Sequence, residues 1–364
     1  MARHALITQV YGCFLSLSHY CILMERVRGV DLQKLMKSST ALSEAVSAVV
    51  LAQLCLAVEY LHYVGFIHRN LCTPPEAQIW YSSLFKVENV MITSMCRVRV
   101  VDFAHLKACS GMYSVRMLQT YRKRTIKEFN DRDVVGPLPY RAPELLRRQA
   151  YGRAIDWWAV GVIAYVMKFG KLPFRGDTEA DVITEILNGN INAKLGDQGK
   201  FREQGRASTP RSSTKESEKL YNELVQRLLR VRVTSRLCSE TYGDYRQHAF
   251  FELLNWEALE RSEEIMPVPL VTEILENSPP IEVKESSTSM KASPICISFD
   301  SLQNCSKQFA LFTFNSHGFM KAQEAYRSVG TVTAEMLDEP VELIGSFRDN
   351  EPYKFQDWYK STRL

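Results

Sequence analysis

Apolar and polar positions along the chain repeat with two periods, and the period changes mark the elements. The run Cys21-Ile22-Leu23-Met24 reads as a buried strand that Gly29 ends, and 30–36 reads as a short helix. A strong helix is predicted over 42–63. Its apolar positions are Leu42, Val46, Val49, Val50, Leu54, Leu56, Ala57, Val58 and Leu61, with Gly65 just past its end. Residues 90–92 and 97–102 alternate like strands, the second ending at Asp102. No period is visible over 104–139. Helices are predicted again at 144–146, 155–168, 181–188, 218–230 and 250–259. A polar, Ser/Thr-rich loop is predicted over 196–218. Residues 272–294 carry Pro279, Pro280, Pro294 and many serines, and read as an extended linker. No internal repeat is visible.

Length changes the picture little: 364 residues allow two or three domains, or one large two-lobed unit with tails. A hydrophobic content of 46% and a charged content of 24% exclude a wholly disordered chain, a collagen and a coiled-coil rod. The net charge of +4 is too small to argue for nucleic acid, and none is expected as a partner. Nine cysteines, an odd number with no C-x-x-C pair, argue against a disulfide framework and a zinc site, and read as reduced thiols. No apolar run reaches the roughly 18–20 residues of a membrane span; the nearest, 45–58 and 154–167, contain Gln53 and Asp156. There is no signal-peptide core at the N-terminus, so a soluble, cytoplasmic protein is expected.

Three short motifs then occur in a fixed order. His68-Arg69-Asn70 follows the long helix, Asp102-Phe103-Ala104 follows a strand, and Ala142-Pro143-Glu144 follows the aperiodic stretch. Each is weak alone; in this order and context they resemble the H-R-D, D-F-G and A-P-E motifs of protein kinases. Around them, Glu88-Asn89-Val90-Met91-Ile92 resembles the segment holding the catalytic-loop Asn, and Asp156-Trp157-Trp158 with Pro173-Phe174-Arg175-Gly176 resembles the helix below it. Arg236-Leu237 resembles the late Arg that pairs with the A-P-E Glu. The Asp-Trp-Trp form is similar to the AGC group of Ser/Thr kinases. So is Phe309-Ala310-Leu311-Phe312-Thr313-Phe314, which fits a hydrophobic tail motif that docks on a small lobe and often carries a phosphorylated Ser or Thr such as Thr313; the plainer reading is a short buried strand.

The resemblance implies an α+β, protein-kinase-like fold: a mainly α-helical large lobe, a truncated β small lobe and an AGC-type C-terminal tail. Residues 1–27 would be the remnant of the small lobe and hinge, 28–260 the large lobe, and 261–364 the tail, with the linker 272–294 and the hydrophobic motif 309–314. Any nucleotide would be ATP with Mg2+. Met24 (the gatekeeper position), Glu25 and Val27 of the hinge would face it, and Asn89 and Asp102 would hold the metal.

Against that template the chemistry is depleted. No G-x-G-x-x-G precedes residue 30, and the β3 Lys motif is absent; either the small lobe has been lost or the sequence starts late. The catalytic base position is Asn70, flanked by His68 and Arg69. An amide cannot take the proton of a substrate hydroxyl, and loss of a general base costs about 10²–10⁴ in rate. Cys72 stands where Ser/Thr kinases commonly carry a Lys, and Ala104 replaces the D-F-G Gly. Eighteen residues separate Asn70 from Asn89, where the motif has four. The excess, roughly 75–88, is either a plug for the cleft or a retained short intron.

Asp133 falls where the activation segment usually carries a phosphorylated Thr, and it either pairs with Arg69 as a permanent phosphate mimic or is a solvated loop residue. Pro137 replaces the Thr of the usual Gly-Thr pair. The basic cluster Arg122-Lys123-Arg124 with Lys127 is a solvated loop or a site for an acidic partner. Glu144 with Arg236, and Asp156, are expected in structural roles. The scaffold is thus kept while the chemistry is lost. A pseudokinase acting through a protein partner is expected, by way of the region near 177–200, the activation segment and the tail. An active ATP-dependent Ser/Thr kinase with a protein substrate and an incomplete sequence is the alternative, and a structural remnant that binds no nucleotide is a third reading.

Overall fold

The computed structural model describes residues 4–15, 20–38, 42–72, 89–103, 105–109, 125–130, 133–191, 195, 211–240, 243–261, 266–277 and 314–315. The expected insertion at 75–88, the Arg122-Lys123-Arg124 cluster, Ala104, the linker beyond Asn277, and Phe309, Phe312 and Thr313 of the tail motif lie outside them.

In chain order the elements are β1 (Val10–Leu15), β2 (Tyr20–Met24), β3 (Val30–Asp31), α1 (Leu32–Ser38), α2 (Glu44–Tyr63), β4 (Phe66–Ile67), β5 (Val90–Ile92), β6 (Val98–Val100) and β7 (Lys107–Ala108). They continue with α3 (Pro143–Leu146), α4 (Ala154–Phe169), α5 (Glu179–Asn188), α6 (Arg211–Leu228), α7 (Trp256–Arg261), α8 (Pro269–Glu276) and β8 (Phe314–Asn315). The chain divides into two units, one of residues 1–9 and 25–294, the other of 10–24 and 295–364. The expected segment 1–27 is therefore shared between them.

The smaller unit contains one three-stranded sheet in the order β2-β1-β8. β1 and β2 form an antiparallel hairpin with an irregularity between Val10 and Gly12. The tail strand β8 adds to the other edge of β1, pairing Gly12 with Asn315 and Cys13 with Phe314.

The larger unit is mainly helical. α2 starts where the side chain of Ser43 accepts from the Val46 amide, and it stops at Val64 and Gly65, the latter at φ 89°. It is long and apolar enough to cross a membrane, which the reading of the sequence missed; most of it is buried against the rest of the unit, as in a core helix. α4 is buried over nearly its whole length and ends at Gly170 in the left-handed region. A Cβ on Gly161 would lie 2.8 Å from Leu228 Cβ, so only glycine allows α4 and α6 to pack this closely. α5 opens with a capping box between Thr178 and Asp181. A small sheet, β3-β5-β6, packs against the middle of α2, where Gln53 bonds the Cys96 carbonyl and the Val98 amide, and residues 6–8 run alongside it, with Thr8 donating to Val100 and Val100 to Leu6.

Four expected boundaries move. The predicted helix 30–36 begins as strand β3, because Val30 and Asp31 pair with Ile92 and Met91; Asp31 then caps α1 by accepting from the Lys34 amide at 2.6 Å. The polar loop expected to 218 becomes helix from Arg211, because Tyr221, Leu224, Val225 and Leu228 give α6 a buried stripe. The helix expected over 250–259 splits into a 3-10 turn, Ala249–Phe251, and α7. Asn255 causes the break, since its Oδ1 accepts from the Ala258 amide. The expected linker begins later than 272, since α8 runs to Glu276 with Pro269 in its first turn.

Candidate active site

The catalytic-loop segment is held from below by Asp156, in the first turn of α4. Its Oδ2 accepts from the His68 amide at 2.8 Å and its Oδ1 from the Arg69 amide at 2.9 Å. His62 of α2 donates its Nε2–H to the same carboxylate at 2.8 Å. Burial alone would raise the Asp156 carboxyl, but the His62 hydrogen bond and the His62 and His68 rings hold it below the usual carboxylate range. Arg69 sits at φ 65° and Asp102 at φ 60°, conformations that a non-glycine residue adopts only where its surroundings impose them.

Above this support four side chains meet. Asn70 Nδ2 donates to Asp102 Oδ2 at 3.2 Å. Cys72 Sγ lies 3.9 Å from Asn70 Oδ1. Burial, and then the Asp102 charge, pushes the Cys72 thiol up to about 12, so it stays protonated and can donate. Asn89 Nδ2 donates to the Asn70 carbonyl at 2.5 Å and lies 3.7 Å from the Cys72 sulfur. The amide of Asn70 is thereby turned with its NH2 toward Asp102 and its oxygen toward a thiol. His68 packs edge-on against Phe103, with centroids 5.6 Å apart.

Asn89 is fully buried, and its Oδ1 has no hydrogen-bond partner among the described residues. An unengaged acceptor on Asn89, whose backbone carbonyl takes the amide of Val101 next to Asp102 in the chain, suits a hard cation that keeps most of its water and takes few protein ligands, as Mg2+ does. No cluster of three or more His, Cys, Asp or Glu side chains among the described residues is arranged as a metal site, so a metal here would rest on these two residues.

Beside Asn70 a shallow cleft lies between the catalytic loop and the segment after Asp133. It is lined by Asn70, Val135, Pro137, Tyr140, Arg141 and Ile155, among others. Gly136, at φ 80°, approaches so closely that a Cβ would lie 2.9 Å from the Arg69 carbonyl oxygen. Its own carbonyl accepts from Arg141 Nε at 2.8 Å.

The structure places the other residues singled out in the sequence as follows. Asp133 Oδ2 lies 3.4 Å from Arg69 Nη1. Glu144 and Arg236 form a buried two-pronged ion pair at 2.7 and 2.9 Å, and Arg236 also donates to the Ala154 carbonyl. Met24 ends β2 and is partly exposed. Glu25 donates its amide to the Gln9 carbonyl and pairs with Arg99 at 3.1 Å, and Val27 is half-buried. Reasoning from sequence missed Lys107 and Tyr151, which join Arg69 and Asp133. No motif spacing points to them, because the contacts are made only in the folded chain. Among the described residues, Cys55, Cys72, Cys96, Cys109 and Cys238 are thiols outside any disulfide.

Comparison with known proteins agrees with this geometry. The profile of the protein kinase domain matches residues 1–251. A cAMP-dependent protein kinase, catalytic subunit-like protein of Caenorhabditis elegans is 26% identical over 257 residues, covering 70% of this chain and 52% of that protein. The probable serine/threonine protein kinase IRE of Arabidopsis thaliana is 25% identical over 275 residues, 71% of this chain and 21% of its own length. Protein kinase C of Drosophila melanogaster is 24% identical over 260 residues, 71% of this chain and 29% of that one. The chain thus spans about half the length, or less, of these curated relatives. The order of the motifs, the buried Asp156 and Glu144–Arg236 anchors and this match lead to one conclusion: the chain belongs to the protein kinase family, with an AGC-type resemblance.

Proposed function

We propose that this Ser/Thr protein kinase homologue is a pseudokinase that works by binding a protein partner. The observation that carries the reading is the hydrogen bond from Asn70 to Asp102. A general base must present a lone pair to the substrate hydroxyl. Asn70 has no basic atom, and its oxygen faces Cys72 while its NH2 is spent on Asp102. The neutral thiol at Cys72 supplies no positive charge to a phosphoryl group in flight.

Partner binding would use the cleft beside Asn70, the region near 177–200 and the tail. Supporting the tail's part is the pairing of Phe314–Asn315 with Gly12–Cys13, by which a residue of the hydrophobic motif joins the small-lobe sheet. Protein kinase domains in general use ATP and Mg2+. In this chain Asn89 and Asp102 would hold the metal, which would neutralise phosphate charge, and Met24, Glu25 and Val27 would face the nucleotide. The unengaged Oδ1 of Asn89 favours a second reading, an active ATP-dependent Ser/Thr kinase in which Asn70 only orients the hydroxyl.

The test is restoration. In the Asn70→Asp/Cys72→Lys double variant of the full-length protein, phosphate transfer from ATP to a basic peptide should rise by about 10²-fold or more over wild type. Equal, substantial rates in both proteins would favour the active-kinase reading instead.

A further inference from the structure

Four arginines gather around the C-terminal end of α5. Arg147, just past α3, donates through Nη2 to the Leu187 carbonyl at 3.4 Å. Gly189 closes the same helix end, and Val231 packs on it so closely that a Cβ there would collide with the Val231 side chain. Arg230 and Arg232 flank Val231. The Arg230 carbonyl accepts from Arg236 Nε at 3.1 Å, and Arg236 in turn holds Glu144, three residues before Arg147. Arg147, Arg148, Arg230 and Arg232 are all exposed, and none of them forms an ion pair among the described residues. Glu144, the carboxylate nearest to Arg147 in sequence, is buried and engaged by Arg236.

Arg148 adds a second observation. It stands at φ 51°, where its amide bonds the Leu145 carbonyl and the Gln149 amide bonds the Glu144 carbonyl to end α3. Glycine fills such a helix end without strain. The chain instead holds an arginine there, exposed and next to Arg147, with no side-chain hydrogen bond among the described residues to account for it. Strain of this kind in an exposed residue points to a use for its side chain.

We propose that Arg147, Arg148, Arg230 and Arg232 form a docking surface for an acidic protein segment, one rich in Asp and Glu. The planar fork of arginine matches a carboxylate with two parallel hydrogen bonds. The exposed large hydrophobic side chains among the described residues are Met24, Met95 and Leu253, and none lies on these segments to enter lipid or stack on a base. The net charge of +4 is also too small to draw in a long polyanion. This inference gives the chemistry of the partner proposed above. Neither Asn70 nor a nucleotide enters it, so its failure would leave the reading of the catalytic loop untouched.

The test is fluorescence anisotropy of a fluorescein-labelled octaglutamate peptide, titrated with the full-length protein at fixed ionic strength. Arg148→Gly/Arg232→Ser removes two of the four charges. Glycine relieves the backbone at 148, and Arg232 serves the turn after it through its carbonyl, which serine keeps. Wild type should bind the peptide saturably. The double variant should bind about tenfold more weakly, as the loss of two exposed ion pairs requires, at a thermal midpoint no lower than that of wild type. A charge-matched control, Arg122→Ser/Lys123→Ser, should bind as wild type does. No saturable binding by wild type, equal binding by the double variant, weakening that comes only with a lower midpoint, or an equal loss in the control would each overturn the docking surface. Tighter binding of a single-stranded oligonucleotide or of phosphatidylserine vesicles, lost in the same double variant, would overturn the assignment to a protein segment.

Discussion

The side-chain amide of Asn70 hydrogen-bonds the carboxylate of Asp102 across 3.2 Å. A carboxylate at position 70 would face the same oxygen as a like charge, with Cys72 nearby in place of a cation. Asn70→Asp alone should therefore destabilise the protein by about 1–3 kcal/mol, the cost of replacing a buried hydrogen bond with a conflict. Adding Cys72→Lys should recover most of it. Urea unfolding of the three proteins checks this, and an Asn70→Asp protein as stable as wild type would show that the two groups are not coupled.

Asp156 accepts two backbone amides and a histidine in a site closed to water. Asp156→Ala orphans all three donors and should cost about 3–5 kcal/mol. Its carboxyl titrates lower in the folded chain than in the unfolded one, so its contribution is complete above about pH 4 and is lost as pH falls through the lower, folded value. Asp156→Asn should flatten the acid limb of the stability curve below pH 4.

Histidines set a different pH window. Burial pushes His4 and His248 down from 6.5 to about 4. The unfolded chain then takes up protons that the folded chain refuses, so stability is full above 6.5 and falls continuously from there to about pH 4. The thermal midpoint should decline over that interval, and His248→Gln should make the decline shallower. A midpoint that is flat from pH 6.5 to 4.5 would contradict the burial of both rings.

Glu144 and Arg236 lie 92 residues apart in sequence and bond through two oxygens, with Trp158 5.1 Å from the guanidinium. Removing one partner leaves a buried charge. Glu144→Ala should cost about 3–5 kcal/mol, more than the Glu144→Ala/Arg236→Met double variant, which equilibrium denaturation can separate.

Much of this was legible in the chain. The apolar period of α2 and α4, the three short motifs and the Glu144–Arg236 pair follow from residues that determine their own surroundings. Boundaries were less so where one side chain decides between alternatives: Asn255 breaks a helix that its neighbours would continue, and Asp31 delays one until after a strand pair has formed. Within the site, sequence shows that Asn70 is not a base. It does not show that the amide is locked between Asp102 and Cys72, because that depends on side-chain rotation in the folded chain. Lys107 and Tyr151 were invisible for the same reason, since they reach Arg69 from 38 and 82 residues away.

The most direct test of the central claim is the single-turnover rate of phosphate transfer from ATP and Mg2+ to peptide by the full-length wild-type protein. The account predicts a rate at least about 10²-fold below the 1–100 s⁻¹ typical of kinases. Transfer within that typical range would contradict it, and would mean that Asn70, although held by Asp102, does not stand in the way of catalysis.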